Sequence, residues 1–125
     1  MDSKMYVSCD GLRDSLYRQE DVLLLDCRSN EGYRHGHIAG SYNIVLPQLM
    51  MRRLKANKLF LKSVVPPNFR DGKEAFLKKC TTYQVVLCDH FSVEINNNDS
   101  SMLCVLYNRM SNEGCNVLIL KGGYT

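Results

Sequence analysis

An α/β domain with a mainly parallel sheet is the fold class this sequence predicts, and three observations predict it. The uninterrupted apolar runs at residues 22–25, 85–88 and 117–120 are too short for helices and show no polar alternation, as strands buried on both faces do. Between these runs lie segments with helical spacing, so strands alternate with helices rather than with hairpin turns. The 125 residues contain no internal repeat and no linker long enough to divide them, so one domain with one core is expected.

The elements follow in order. Asp10, Gly11 and Leu12 open an apolar periodicity, Leu12 with Leu16 beside Tyr17, that predicts a short helix ending near Gln19. Residues 22–25, closed by Asp26, predict a buried strand. Ser29 is placed to cap a brief helix through Tyr33, and Gly36-His37-Ile38-Ala39-Gly40-Ser41 predicts a turn into a second strand over residues 42–45. Pro47 suits the first turn of a helix, where its missing N–H costs nothing, and that helix is expected to run from Gln48 to about Lys58. In it Leu46, Met50 and Leu54 recur at i, i+4 and face the core, while Gln48, Arg52 and Lys55 share the opposite side. Pro66-Pro67 marks a break before a helix over residues 70–79, with Phe69, Phe76 and Leu77 at helical spacing. After the strand at 85–88, Asn96-Asn97-Asn98-Asp99 predicts an exposed loop, with Asp99 or Ser100 capping a helix that carries Met102, Leu103, Leu106, Tyr107 and Met110 and stops near Gly114. The last strand, 117–120, is closed by Gly122-Gly123.

Composition narrows the function classes. Hydrophobic residues at 45% and charged residues at 23% are the balance of a globular protein rather than of a fibre or a disordered tail. No stretch approaches a membrane span, and the Met-Asp-Ser-Lys-Met-Tyr start lacks a signal sequence's apolar core, so a chain kept inside the cell is expected. Five of the six cysteines, Cys27, Cys80, Cys88, Cys104 and Cys115, lie in or beside apolar runs, which predicts buried reduced thiols rather than a disulfide framework. No pair has CxxC spacing, and His35, His37 and His90 are not placed to complete a zinc site, so neither metal nor cofactor is expected. The net charge of +3 by itself implies neither nucleic acid nor membrane as a partner. Its distribution says more. Between Glu31 and Asp71 there is no acidic residue, while Arg34, Arg52, Arg53, Lys55, Lys58, Lys62 and Arg70 lie in that interval.

At this point the residues resemble a known family. Asp26-Cys27-Arg28 after a buried strand, then Glu31, Tyr33, Gly36-His37-Ile38-Ala39-Gly40-Ser41 and Asn43, resemble the first block of rhodanese-like domains, and Gly122-Gly123-Tyr124 resembles their closing block. The resemblance covers about 100 residues, from roughly Leu23 to Tyr124. It implies a three-layer fold with a mainly parallel five-stranded sheet flanked by helices. Within the family, the sequence looks most like the N-terminal domain of dual-specificity MAP kinase phosphatases, which carry a basic docking motif after the second strand. The matching segment here is Met50-Met51-Arg52-Arg53-Leu54-Lys55, with Leu59-Phe60-Leu61 as its apolar part. The resemblance implies a targeting module that binds a MAP kinase through Arg52, Arg53, Leu54, Lys55, Leu59 and Leu61, while a separate domain performs hydrolysis. Because family members continue past Gly-Gly-Tyr into another helix and then a phosphatase domain, the chain is expected to be a single domain over residues 1–125, cut before both. The expected location is the cytoplasm, with the nucleus open because a basic cluster can double as an import signal.

No catalytic residue is expected in the segment. Asp89 holds the position that an active rhodanese gives to its nucleophilic cysteine, and Cys88 lies one residue earlier, where strand alternation turns its side chain the other way. Residues 89–99 contain Glu94 but no glycine, lysine or arginine, surroundings that raise a thiol's pKa and disfavour the thiolate. A cysteine-based phosphatase needs five residues between Cys and Arg; Cys27 and Arg34 bracket six, and Cys104 and Arg109 bracket four. Two other readings stay open: a rhodanese-type sulfurtransferase using Cys88, and an interaction domain with a partner other than a kinase. For the basic cluster the bland reading is a solvated helix face, and Leu59, Phe60 and Leu61 could equally be core. Asp26 is expected to tie down a loop with Arg28 as its neighbour, His37 to stabilise a turn, and Tyr33 and Tyr42 to pack.

Overall fold

A computed structural model describes residues 6–56, 64–89 and 102–120. It contains a five-stranded sheet whose central strands are β2 (Val22–Asp26) and β4 (Gln84–Cys88), flanked by β3 (Tyr42–Asn43) on one side and by β5 (Val117–Leu120) and β1 (Tyr6–Val7) on the other. All four pairings are parallel. The helices are α1 (Cys9–Tyr17), α2 (Asn30–His35), α3 (Gln48–Lys55), α4 (Lys73–Thr82) and α5 (Met102–Asn112).

Strand alternation splits the core between the two faces of the sheet. Leu23, Val85 and Val117 stand side by side, as do Leu25, Leu87 and Ile119, and this layer packs against Leu54 of α3, Phe76 and Cys80 of α4, and Leu103, Leu106 and Met110 of α5. The residues between them, Leu24, Val86 and Cys88, turn to the other face with Leu120 and meet Leu12 of α1. Both faces are therefore covered, which is why the strand sequences are apolar throughout rather than alternating. A chain of edge-on ring contacts, Tyr42 to Phe69 at 5.1 Å and Phe69 to Phe76 at 5.4 Å between centroids, ties the edge strand β3 to α4.

The sequence expectations for β2 and β5 match, and β4 begins one residue earlier, at Gln84. Others shift for physical reasons. The α1 helix stops at Tyr17 because Gln19 turns left-handed, with φ 59°, and of its apolar residues Leu12 is buried whereas Leu16 and Tyr17 are exposed. The α4 helix runs from Lys73 rather than Arg70: a turn closed by the Phe69 N–H on the Pro66 carbonyl, at 3.0 Å, precedes Gly72, whose φ of 96° and ψ of 171° only glycine adopts readily. At its far end the Thr81 and Thr82 hydroxyls bond back to the carbonyls of Leu77 and Lys78, carrying the helix past Lys79. The second strand keeps only Tyr42 and Asn43 of residues 42–45, because Val45 already faces solvent on the way to Pro47. Among the described residues no helix is long and apolar enough to cross a membrane. The expected cap at Asp99 or Ser100, the Asn-rich loop and the closing Gly122-Gly123-Tyr124 lie outside the described residues.

Candidate functional site

The turn after β2 is held by a buried ion pair. The Asp26 carboxylate accepts from the Arg28 backbone N–H at 2.9 Å and from its guanidinium, Nε at 3.0 Å and Nη2 at 2.8 Å, and the same Nη2 donates to the Gly36 carbonyl at 2.6 Å. Both side chains are almost wholly buried, so the guanidinium's planar fork is used to saturate one carboxylate and one turn carbonyl. Asn43 Nδ2 donates to the carbonyls of Asp26 and Arg28, both at 3.0 Å, and locks the turn to β3. The Tyr33 hydroxyl donates to the Ser41 carbonyl and accepts from Asn68 Nδ2, and His37 stacks on the Tyr33 ring at 3.7 Å with its Nδ1 2.8 Å from the Tyr33 carbonyl. Asp26, Arg28 and His37 thus have the structural parts expected of them. Tyr33 adds hydrogen bonds to the packing expected of it. Asn68 is a member that no motif or spacing in the sequence singles out.

Beside this knot, Cys88 closes β4. Its side chain lies in the smaller core layer, 1% exposed, with Sγ directed at the Leu25 carbonyl at 3.7 Å. Burial above all, then the Asp26 carboxylate, only partly offset by Arg28, pushes the thiol up to about 12. Cys27 is likewise driven well above the ordinary thiol range, first by burial and then by its neighbours Cys88, Asp89 and Asp26. Such a thiol stays protonated at neutral pH, which is the reverse of what a persulfide carrier or a phosphatase nucleophile needs. Cys80, Cys104 and Cys115 are buried too, as core residues. Residues 90–99, including Glu94, lie outside the described residues. Among the described residues no three His, Cys, Asp or Glu side chains come together in a way that could hold a metal ion.

The basic segment folds as α3. Pro47 sits one position before its first turn, extended at φ −56° and ψ 153°, and its carbonyl accepts the Met51 N–H at 3.0 Å. Leu54 fixes the helix: it is 1% exposed and packs into the larger core layer, with Leu46 and Met51 against the same layer. Leu54, named among the expected partner contacts, is turned into the core with only 1% of its surface exposed, so its part in α3 is to anchor the helix. Met51, three residues before Leu54, packs on that layer where Met50 was expected, on a helix that is in contact with α5. From α5, Arg109 pairs with Glu113 and its Nη1 lies 3.5 Å from the Leu54 carbonyl, at the exposed end of α3.

Arg52, Arg53 and Lys55 are all exposed, and none forms an ion pair with another described residue. Their place in the last turn also complements the helix macrodipole, so the same charges that face outward help the helix to form. Leu59 and Leu61, the expected apolar contributors, lie outside the described residues, as do Phe60, Lys58 and Lys62. The sequence reading missed another apolar element: Leu49, 56% exposed, one turn before the arginine pair, and Val45, 46% exposed, just ahead of the helix. The spacing held the signal for Leu49, since residues three and four apart share a helix face and it stands at those distances from Arg52 and Arg53.

Comparison with known proteins agrees with this geometry. A family profile described as "Rhodanese-like domain" matches residues 9–125. Human dual specificity protein phosphatase 6 is 33% identical over 108 residues, which make up 85% of this chain and 28% of that protein. Human dual specificity protein phosphatase 7 is 35% identical over 106 residues, 82% of this chain and 25% of that one, and Mpk3 of Drosophila melanogaster, also a dual specificity protein phosphatase, is 27% identical over 117 residues, 84% and 28%. The chain thus spans about a quarter of the length of these relatives. Among solved structures, the human single-domain sulfurtransferase TSTD1 superposes with a TM-score of 0.57 at 18% identity, covering 96% of this chain and 91% of that one, which speaks to the fold alone. The sheet order, the knot after β2 and the profile match lead to one conclusion: the chain belongs to the rhodanese-like domain family, and in sequence it is of the kind found within dual specificity protein phosphatases.

Proposed function

We propose that this domain is a non-catalytic docking module that brings a dual-specificity MAP kinase phosphatase to its kinase substrate through the outward face of α3. One observation carries the reading: Arg52, Arg53 and Lys55 project from a helix that Leu54 pins to the core, and none of them forms an ion pair with another described residue. Holding such charges unpaired serves a partner that brings carboxylates, and a guanidinium can meet a carboxylate at two points. The relatives support the parent class, since they are dual specificity phosphatases several times longer than this chain. Support for catalytic silence comes from Asp89, which stands where an active rhodanese has its nucleophilic cysteine, and from Cys88 one residue earlier, which burial holds protonated.

The test is calorimetry with a panel of purified MAP kinases. Arg52→Glu with Arg53→Glu is expected to abolish binding to every kinase that the unmodified chain binds, with circular dichroism unchanged because both side chains are exposed. Retention of affinity would place the docking site elsewhere on the domain, and absence of binding by the unmodified chain would end the kinase reading.

A further inference from the structure

Beside the arginines, α3 and α5 leave a cleft of about 220 Å³, lined by Gln48, Met51, Arg52, Lys55 and Val105. Half-buried Met51 of α3 and buried Val105 of α5 supply its apolar lining, and the exposed Gln48, Arg52 and Lys55 supply a polar and basic mouth. Residues from two helices some fifty positions apart build it, so no linear motif contains it.

Size decides what it can take. A cavity of roughly 150 Å³ is enough to admit benzene, whereas sites that enclose whole drug-sized ligands run from about 300 to 1,000 Å³. The cleft therefore suits one aromatic or branched aliphatic side chain and not a complete metabolite. Charge decides what must flank that side chain. Two cations at the mouth, with no carboxylate paired to either among the described residues, favour an acidic residue next to the inserted one.

We propose that the α3–α5 cleft is a recess for one apolar side chain of the docked partner, flanked in the partner by a carboxylate that meets Arg52 or Lys55. The inference rests on the docking reading given above and deepens it: the arginine face is one half of a two-part surface, with the recess as the other. A side chain seated in a well-packed pocket and surrounded by contacts that exclude water is the arrangement that concentrates binding energy at protein interfaces.

The experiment fills the recess without touching a charge. Gln48 is exposed at the start of α3, so Gln48→Trp sets a ring into the mouth at little risk to folding. Against the same kinase panel, calorimetry is expected to show affinity reduced by about tenfold or more, as for loss of an interface anchor, while the dependence of affinity on salt keeps its slope because no charge has changed. In parallel, the methyl resonance of Met51 in the otherwise unmodified chain, labelled at its methionine methyls, is expected to shift when kinase is added. If Gln48→Trp binds normally and the Met51 methyl does not move, while Arg52→Glu with Arg53→Glu still abolishes binding, the recess is unoccupied and the docking reading stands alone. If the charge reversal also leaves binding intact, docking through α3 fails and the recess with it. Should Gln48→Trp disturb the fold, seen as a lowered unfolding midpoint, the Met51 resonance decides the question by itself.

Discussion

At the scale of single residues, burial sets the chemistry of the thiols and so their response to pH. Cys80 and Cys88 are both pushed from an ordinary value of 9.0 up to about 12, in each case mainly because the core excludes water from the thiolate. In the unfolded chain these thiols ionise near their ordinary value, while in the folded chain they stay protonated, so above pH 9 the folded state binds more protons than the unfolded one. The stability associated with them is therefore intact below about pH 9 and lost progressively as pH rises from there toward 12. Urea denaturation across that window should show the midpoint falling, and the fall should be shallower in a Cys80→Ala, Cys88→Ala double variant, where two of the responsible groups are gone. An identical slope in both proteins would mean that these two thiols do not drive the loss of stability at high pH. The five core thiols were legible in the sequence because each cysteine sits in or beside an apolar run. The Asp26–Arg28 pair was legible only as neighbours. Its saturation through the Gly36 carbonyl and Asn43 depends on how two strands and a turn come together, and that is a tertiary fact.

At the scale of elements, α3 is fixed to the core chiefly by Leu54, with Leu46 and Met51 beside it, and the proposed docking depends on that anchor. Leu54 is almost wholly buried, so Leu54→Ala removes buried methyl groups from the larger core layer and leaves a cavity, at a cost of roughly 2–5 kcal/mol. Docking should weaken with it, although every basic residue is still present, because a loosened helix no longer presents Arg52, Arg53 and Lys55 together. The expected result is a lower urea midpoint together with reduced kinase affinity in calorimetry. A stability loss under about 1 kcal/mol would show that α3 is anchored by other contacts. The helix was readable from Pro47 and the recurrence of Leu46, Met50 and Leu54, but the face it buries came out one residue off, toward Met51, because periodicity gives a stripe and α5 decides where that stripe leans. The two-residue strand β1 had no periodic signal at all. It exists because β5 offers an open edge to Tyr6 and Val7. The start of α4 moved from Arg70 to Lys73 for an equally local reason, a glycine at positive φ that helical spacing does not register.

At the scale of the whole molecule, the net charge of +3 understates the field, because the acidic residues fall outside the interval that contains α3. Separation of charge along the chain becomes separation in space only because the fold anchors α3 by its buried side and leaves its basic side in solvent. Attraction between such exposed charges and an acidic partner is screened over roughly 8 Å at physiological ionic strength and over about 3 Å at 1 M. Docking should therefore weaken steadily as salt is raised. Most of the change should fall on the association rate, since exposed rim charges steer encounter more than they hold the complex, while apolar contacts such as the one proposed at the recess act mainly on dissociation. Stopped-flow measurements of kinase association from low to high salt are expected to show the on-rate dropping severalfold or more, with the off-rate changing far less. Replacing Arg53 and Lys55 by glutamine should lower the low-salt on-rate and flatten its salt dependence. An on-rate indifferent to salt would mean that these cations do not meet the partner through solvent, and a salt effect carried entirely by the off-rate would place them inside the closed interface rather than at its rim.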